Sequence, residues 1–212
     1  HIEAEELIKF PELVRSIDPR EIENNEDMHS FGEELLSTLI DHPERAPELD
    51  GRGWAIRGGT VIRGLFRRRD PIFTELEIRL RRVIDNAVAA LPNNSDNPFI
   101  KGKPSSYKLD GWVNFLEAGD YQSNHIHNNG WMSGVYYLSI PEMRDKNIEN
   151  AGWIEFNRSG YGLPHFGNEE YIKYIKPLTG LLIHFPSYVW HGTVPFASEG
   201  ERVSISFDVI PD

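Results

Sequence analysis

The sequence predicts a mainly β protein with flanking helices, an α+β fold in which helices from the N-terminal half support a β-barrel or β-sandwich. Two observations predict it. Residues 108–210 contain several short segments in which apolar and polar residues alternate, as they do along a half-buried strand. The helical patterns are concentrated in residues 1–100 instead of alternating with the strands, and this order is typical of helices that buttress a separate β core.

Two helices are expected in the N-terminal half. The clearer one covers about residues 70–91, because Asp70 suits the N-cap and Pro71 suits the first helical position. Its apolar residues recur at spacings of three and four, which gives a stripe that must pack against another element. The second predicted helix covers about residues 27–40 and has a similar stripe.

The C-terminal half contains the predicted strands. They cover residues 112–116, 134–140, 153–156, 181–185 and 202–209. In the last strand an apolar row, Val203, Ile205, Phe207 and Val209, alternates with a polar row, Arg202, Ser204, Ser206 and Asp208. One row therefore faces a core, and the other faces either solvent or a polar cavity.

Length and charge limit the classes of protein that the chain can be. It has 212 residues, and we expect a single domain in which residues 1–107 are the helix-rich support and residues 108–212 the β core. The net charge of −11 argues against broad binding to nucleic acids or to anionic membranes, because affinity for phosphates is largely electrostatic. No stretch approaches the ~20 apolar residues of a membrane span.

The chain contains no cysteine, so disulfides, thiolate nucleophiles and cysteine-type zinc sites are excluded. Its first residues are acidic and lack the basic-then-apolar pattern of a signal peptide. A cytoplasmic location is therefore expected. The sequence leaves the oligomeric state open, with a homodimer among the alternatives. Any bound metal must be held by His, Asp, Glu or water.

His125 and His127 are the first candidate metal ligands. They are two residues apart, so on a strand both side chains point to the same face and can meet at one ion. An isolated pair of this kind is more often structural or exposed. A third ligand must come from elsewhere, and His191 is the best candidate, whereas His184 interrupts an apolar strand and is expected to be structural.

Arg202 and Ser204 are candidate binding residues for an anion. If the polar row of their strand faces the inside of a barrel, the guanidinium needs an anionic partner, and a carboxylate with two oxygens suits it. The alternative is an exposed sheet face with an ordinary surface arginine. A further group of arginines lies between residues 63 and 82; a solvated helix face is favoured there over a docking surface for an anionic substrate.

Together these residues resemble the 2-oxoglutarate/Fe(II)-dependent dioxygenase superfamily, and within it a family of bacterial and phage oxygenases. The matching stretches are residues 112–120, 124–138, 185–191 and 201–207. The resemblance implies a double-stranded β-helix, also called a jelly-roll or cupin-like barrel. It also implies Fe(II) as the metal, 2-oxoglutarate as co-substrate and O₂ as the oxidant, with a hydroxylase-type reaction on a primary substrate that the sequence does not identify.

The resemblance assigns a role to each candidate residue. His125 and His191 correspond to the two metal-binding histidines, and Arg202 to the residue that binds the far carboxylate of 2-oxoglutarate. His127 stands where the superfamily pattern has Asp or Glu, so the expected metal and catalytic set is His125, His127 and His191. With Arg202 and Ser204, Asn114 and Tyr136 are expected to contact the co-substrate.

Two other functions fit the same residues. One is a cupin-like metalloenzyme with three histidine ligands that does not use 2-oxoglutarate. The other is a jelly-roll module that binds a ligand or a protein without catalysis and needs no metal. Fold alone does not choose among these functions.

Overall fold

A computed structural model describes residues 13–18, 25–48, 55–92, 96–144, 148–164 and 169–212. The α-helices in this part are α1 (Asn25–Ile40), α2 (Pro71–Ala89) and α3 (Pro98–Lys101). The strands are β1 (Arg15–Ile17), β2 (Ala46–Pro47), β3 (Ile56–Arg57), β4 (Thr60–Arg63), β5 (Tyr107–Leu116), β6 (Tyr121–Gln122), β7 (Met132–Ser139), β8 (Ile154–Phe156), β9 (Lys173–Ile175), β10 (Leu182–Pro186), β11 (His191–Thr193) and β12 (Arg202–Pro211).

Both predicted helices are present, and the start of α2 has the predicted chemistry. The Asp70 side chain accepts a hydrogen bond of 3.1 Å from the backbone N–H of Ile72, and Pro71 occupies the first turn. The N-cap thus satisfies one of the backbone donors that the first turn leaves unpaired. The apolar stripe of α2 is buried in a core cluster that also contains residues of α1 and β12. Within the described residues, no helix has both the length and the apolar character that crossing a membrane requires.

The strands form two main antiparallel layers. The larger sheet has seven strands in the order β1-β10-β7-β12-β5-β4-β2, and a smaller sheet has the order β11-β8-β9. β3 and β6 form a separate pair. The inner faces of the two main sheets share one apolar cluster, in which Tyr137 and Phe185 of the larger sheet lie with Ile154 and Phe156 of the smaller one. The predicted mainly β fold, a double-stranded β-helix with helices outside, is confirmed.

β12 lies in the middle of the larger sheet and is hydrogen-bonded to β5 on one side and β7 on the other. Its apolar row, which includes Ile205 and Phe207, packs on the outer side against the helices. Its polar row therefore faces inward between the two sheets. Arg202, at the start of that row, is only 1% exposed, so the alternative of an exposed surface arginine is wrong.

Candidate metal centre and co-substrate pocket

The three predicted histidines come together although they lie on separate segments. An isolated β-bridge joins His125 to His191, with backbone hydrogen bonds of 3.0 Å in both directions. The His125 and His191 rings are 4.2 Å apart, and the His127 ring is 4.9 Å from that of His191. One nitrogen from each ring lies within 4.8 Å of the others, which is close enough for all three to bind one metal ion.

Backbone carbonyls fix the orientation of two of the rings. Nδ1 of His125 lies 2.8 Å from the carbonyl oxygen of Ser123, and Nδ1 of His191 lies 3.0 Å from that of Val189. Because a carbonyl oxygen only accepts hydrogen bonds, each Nδ1 must carry the proton and donate. The lone pair is then on Nε2 of each ring, as a metal ligand requires.

His127 is held in the same way by a carboxylate. Its Nδ1 lies 2.6 Å from Oδ1 of Asp208, and Nε2 on the other side of the ring lies 3.0 Å from Nε2 of His125. With Nδ1 protonated in both rings, these two Nε2 atoms carry lone pairs that face each other without a proton between them. A cation between the rings turns this repulsion into coordination, so the donor set fits a divalent metal.

Burial keeps two of the candidate ligands, His125 and His191, neutral. Desolvation, reinforced by the neighbouring His127, lowers the pKa of His125 to about 4. The pKa of His191 is held well below its ordinary value, first by burial and then by His125 and His127. Metal binding requires neutral imidazole, so both rings are ready to bind a metal at neutral pH and in mild acid.

Asp208 is a site residue that the sequence reasoning did not single out. Its Oδ1 also accepts a hydrogen bond of 2.6 Å from the Ser133 hydroxyl, which is 2.7 Å from that of Ser187. Asp208 belongs to the inward polar row of β12, and this was the available signal: an acid on the strand that also carries Arg202. Its partner could not be named without the pairing of β12 with β7.

The other end of the polar row forms a second candidate site around Arg202. Its Nη1 donates to the carbonyl oxygen of Gly152 at 2.7 Å, and its guanidinium carbon lies 5.0 Å from the centre of the Tyr137 ring. In the described part of the chain, Arg202 Nε and the Tyr137 hydroxyl are buried without a hydrogen-bond partner. Burial raises the pKa of Tyr137, which remains a neutral donor. A buried cation with a free donor is suited to an anionic ligand.

Asn114, Ser204 and Ser206 line the inner face beside Arg202. The register of β12 and β5 places Ser204 opposite Asn114, and the Asn114 amide donates to the Ser206 hydroxyl at 2.9 Å. Its carbonyl oxygen Oδ1 is buried with no hydrogen-bond partner among the described residues. The predicted Asn114 and Ser204 therefore lie on the same inner surface as Arg202.

Tyr136, the fourth residue predicted to contact the co-substrate, lies on the other face of β7 and is corrected here. It packs in the outer core cluster with Leu182 and the helices, and its hydroxyl faces Gly32 of α1. Tyr137, one residue further on, faces inward. Because successive side chains of a strand point to opposite faces, an error of one residue exchanges the inner and the outer tyrosine.

A cavity of about 780 Å³ opens onto His125 and His127. His125, His127 and Asp208 line it, together with the aromatic side chains of Trp112 and Tyr161. It is large enough for a small-molecule ligand or part of a larger one. A second reactant could reach the Nε2 side of the rings, where a metal would be held, through this cavity.

Five of the arginines between residues 63 and 82 fall into two groups. On α2, Arg79 and Arg81 pair with glutamates one turn earlier, at 2.7 and 2.8 Å, which confirms ordinary helix-surface ion pairs for these two. Arg63, Arg67 and Arg68 instead line the cavity. The Arg67 side chain is 78% exposed, and its contact with Asp110 is long at 3.5 Å.

Comparison with known proteins identifies the segment that carries the site. Residues 110–208 match the family model described as "Putative 2OG-Fe(II) oxygenase". The segment that carries the site is thus similar to the 2-oxoglutarate/Fe(II)-dependent oxygenases. The matched segment contains all three histidines and Arg202. No curated protein sequence matches the chain.

Solved structures share the fold of this protein at low sequence identity. A prolyl-4-hydroxylase from Pseudomonas putida is 12% identical, with a TM-score of 0.62 over 94% of this chain and 93% of that one. A Trichoplax adhaerens prolyl hydroxylase, in complex with a hypoxia inducible factor peptide fragment, is 15% identical, with a TM-score of 0.62 over 94% and 84%. HygX from Streptomyces hygroscopicus, with nickel, 2-oxoglutarate and hygromycin B bound, is 14% identical, with a TM-score of 0.58 over 99% and 88%.

Proposed function

We propose that the protein is an Fe(II)- and 2-oxoglutarate-dependent oxygenase that hydroxylates a primary substrate, with His125, His127 and His191 as the metal ligands. One observation carries the proposal. Three imidazoles, each with a fixed Nδ1, converge through their other nitrogens between the same two sheets that enclose a buried arginine whose Nε has no partner among the described residues. A metal site and an anion site inside one barrel match what the superfamily needs.

Fe(II) bound by the three rings would supply the activation of O₂ and the oxidation of the co-substrate and substrate. The protein's own contribution is placement. Three ligands leave open coordination positions, and the carbonyls of Ser123 and Val189 keep two of the rings turned toward the ion. His127 replaces the usual carboxylate, so no ligand in this proposed set is negatively charged.

Arg202 would hold the distal carboxylate of 2-oxoglutarate. The guanidinium is buried and always charged, and its free Nε with the neighbouring Tyr137 hydroxyl offers two donors to carboxylate oxygens. Ser204 would add a third hydroxyl, and Asn114 would orient the co-substrate from the adjacent strand. Dry surroundings strengthen each of these interactions relative to water.

The cavity beside the histidines would admit the primary substrate. It carries ionic side chains of both signs, among them Arg67 and Asp110, which suits a polar molecule. The bound molecules named for the two neighbours above, a peptide fragment and hygromycin B, differ widely in chemistry. The fold therefore does not select the substrate of this protein.

An anaerobic titration tests this function without knowledge of the substrate. Metal-free protein is given one equivalent of Fe(II) and then increasing 2-oxoglutarate, and a weak visible charge-transfer band should grow and saturate. Succinate, which lacks the keto group that chelates the metal, is the matched control and should give no band. Admission of O₂ should then consume 2-oxoglutarate slowly even without substrate. Fe(II) binding without any band would favour the three-histidine enzyme that does not use 2-oxoglutarate, and failure to bind Fe(II) would favour a non-catalytic module.

A further inference from the structure

We propose that Asp208 supplies, through the ring of His127, the negative charge that a carboxylate ligand supplies in the usual His-x-Asp pattern. In this view Asp208 is a positioning residue of the metal centre and not a ligand. The inference rests on the proposed function only in taking His127 as a ligand of the metal. It explains how the acidic position of the pattern can be occupied by histidine.

The geometry of the pair supports a relay through the ring. Asp208 Oδ1 is 2.6 Å from His127 Nδ1, a distance typical of a charge-assisted hydrogen bond. The carboxylate lies on the Nδ1 side, whereas Nε2 faces His125 at 3.0 Å. A carboxylate that accepts the Nδ1 proton makes the opposite nitrogen more electron-rich and therefore a stronger donor to a metal.

The surroundings of Asp208 hold its charge in place. The residue is 9% exposed, and Ser133 donates to the same oxygen that faces His127. Ser187 completes the chain through Ser133 at 2.7 Å. The ionic partner of the Asp208 carboxylate is His127, whose Nδ1 lies 2.6 Å from Oδ1. The carboxylate therefore lies where its charge acts directly on the His127 ring.

A comparison of charges shows why the pair matters. Three neutral imidazoles leave a divalent ion with its full charge, whereas two imidazoles and a carboxylate remove one unit of it. In the proposed arrangement, Asp208 supplies that unit of negative charge from the far side of the His127 ring. Compared with the His-x-Asp pattern, the carboxylate is on the last strand instead of two residues after the first histidine, but the total charge of the site is the same.

Asp208→Asn separates the charge from the hydrogen bond. The amide oxygen of asparagine can still accept the Nδ1 proton, so ring orientation is kept and only the charge is lost. We expect Co(II) and Fe(II) affinity to fall by about 10- to 100-fold, as for other partners of metal-bound histidines. The Fe(II)–2-oxoglutarate band should move to shorter wavelength, because a less electron-rich iron gives up an electron less easily.

Asp85→Asn is the matched control, since it makes the same change of charge at a carboxylate on α2 that is hydrogen-bonded to Tyr107; its band should stay where the wild-type band is. The inference is overturned if Asp208→Asn leaves both affinity and band unchanged. It is equally overturned if that variant loses the metal as completely as His191→Ala does, because Asp208 would then be a ligand. Absence of the band in the wild type would instead refute the proposed function.

A double variant tests the relocation of charge by a comparison that does not use the Asp208→Asn single variant. His127→Asp alone brings two carboxylates together, whereas His127→Asp with Asp208→Asn moves the single charge into the ligand position. We expect the double variant to bind Fe(II) more tightly than His127→Asp alone and to give a band near that of the wild type. The reverse order of affinities contradicts the inference. Thermal unfolding of the metal-free proteins shows that each variant is folded.

Discussion

The two ends of the inward polar row of β12 differ in how completely their hydrogen bonds are satisfied. At the metal end, each histidine has a partner for the nitrogen that faces away from the centre. At the other end, Arg202 Nε and the Tyr137 hydroxyl are buried without one in the described part of the chain. The difference indicates that the histidines are already oriented before a metal ion binds, whereas the hydrogen bonds of Arg202 and Tyr137 are completed only when an anion binds.

The largest effect of a substitution is expected on Fe(II) binding by the three histidines. His191→Ala should abolish Fe(II) binding, a greater loss than the ~100-fold that removal of an outer partner can cost. His184→Ala removes an equally buried histidine on the other face of the sheet and should leave the metal bound. Metal content after anaerobic loading and desalting checks both. Retention of one equivalent of iron by His191→Ala would break the comparison.

Arg202→Ala should affect the co-substrate and spare the metal. Loss of one partner of a buried charged pair costs about 2–5 kcal/mol, so 2-oxoglutarate affinity should fall by at least roughly 30-fold. Calorimetric titration of the anaerobic Co(II) protein measures it, and Arg202→Lys, which keeps the charge but not the planar fork, should fall in between. An unchanged affinity for 2-oxoglutarate in Arg202→Ala would place the carboxylate elsewhere.

His184 extends the comparison to a buried imidazole that has no anchor. Burial, with a smaller effect of Arg15, lowers its pKa to about 4, and both ring nitrogens lack hydrogen-bond partners within the described residues. The unfolded chain binds a proton near pH ~6.5 and the folded protein only near pH 4. The free energy of unfolding should therefore fall by up to ~3 kcal/mol between these pH values, and no further below them.

His184→Leu isolates this contribution. The variant should lose less stability than the wild type when the pH is lowered through that window, with both proteins free of metal. Urea unfolding at several pH values measures the difference between them. A difference that does not change with pH would mean that His184 is already protonated or that it is not buried in solution.

The smallest effect sharpens the assignment of the two tyrosines. Tyr137→Phe should weaken 2-oxoglutarate binding by ~0.5–1.5 kcal/mol, the usual contribution of one hydrogen bond. Tyr136→Phe is the matched control on the opposite face of β7 and should leave the affinity unchanged. The same calorimetric titration compares them. A weaker affinity in Tyr136→Phe alone would restore the role that the sequence suggested.

The closeness of the histidines and the inward position of Arg202 could be predicted from the sequence because their signals are local. Two histidines two residues apart share a strand face, and the clean alternation of β12 separates its polar row from its apolar row. Both helices were predicted because a cap and an apolar stripe are also local features. These parts needed no knowledge of which strands are neighbours.

The missed parts depend on non-local pairing. β7 is buried on both faces, by the helices outside and by the smaller sheet inside, so alternation did not distinguish Tyr136 from Tyr137. The register of β12 against β7 also shifts between Val203 and Ser204. No pattern in the sequence predicts this shift. The contact between His127 and Asp208 joins a loop to a strand 81 residues away and follows only from this register.

The central position of β12 ties assembly of the sheet to chemistry. A slip of one residue against β5 and β7 would turn the apolar row of β12 toward the barrel interior. The same slip would bury the guanidinium of Arg202 and the carboxylate of Asp208 in the apolar core between the sheet and the helices. Such a misfolded form would lose both the arginine proposed to bind the co-substrate and the aspartate proposed to support the metal. A wrong register of this strand is thus penalised twice, because the apolar row enters a polar interior and the polar row enters an apolar core. A single-residue insertion in the strand is expected to remove structure and catalysis together.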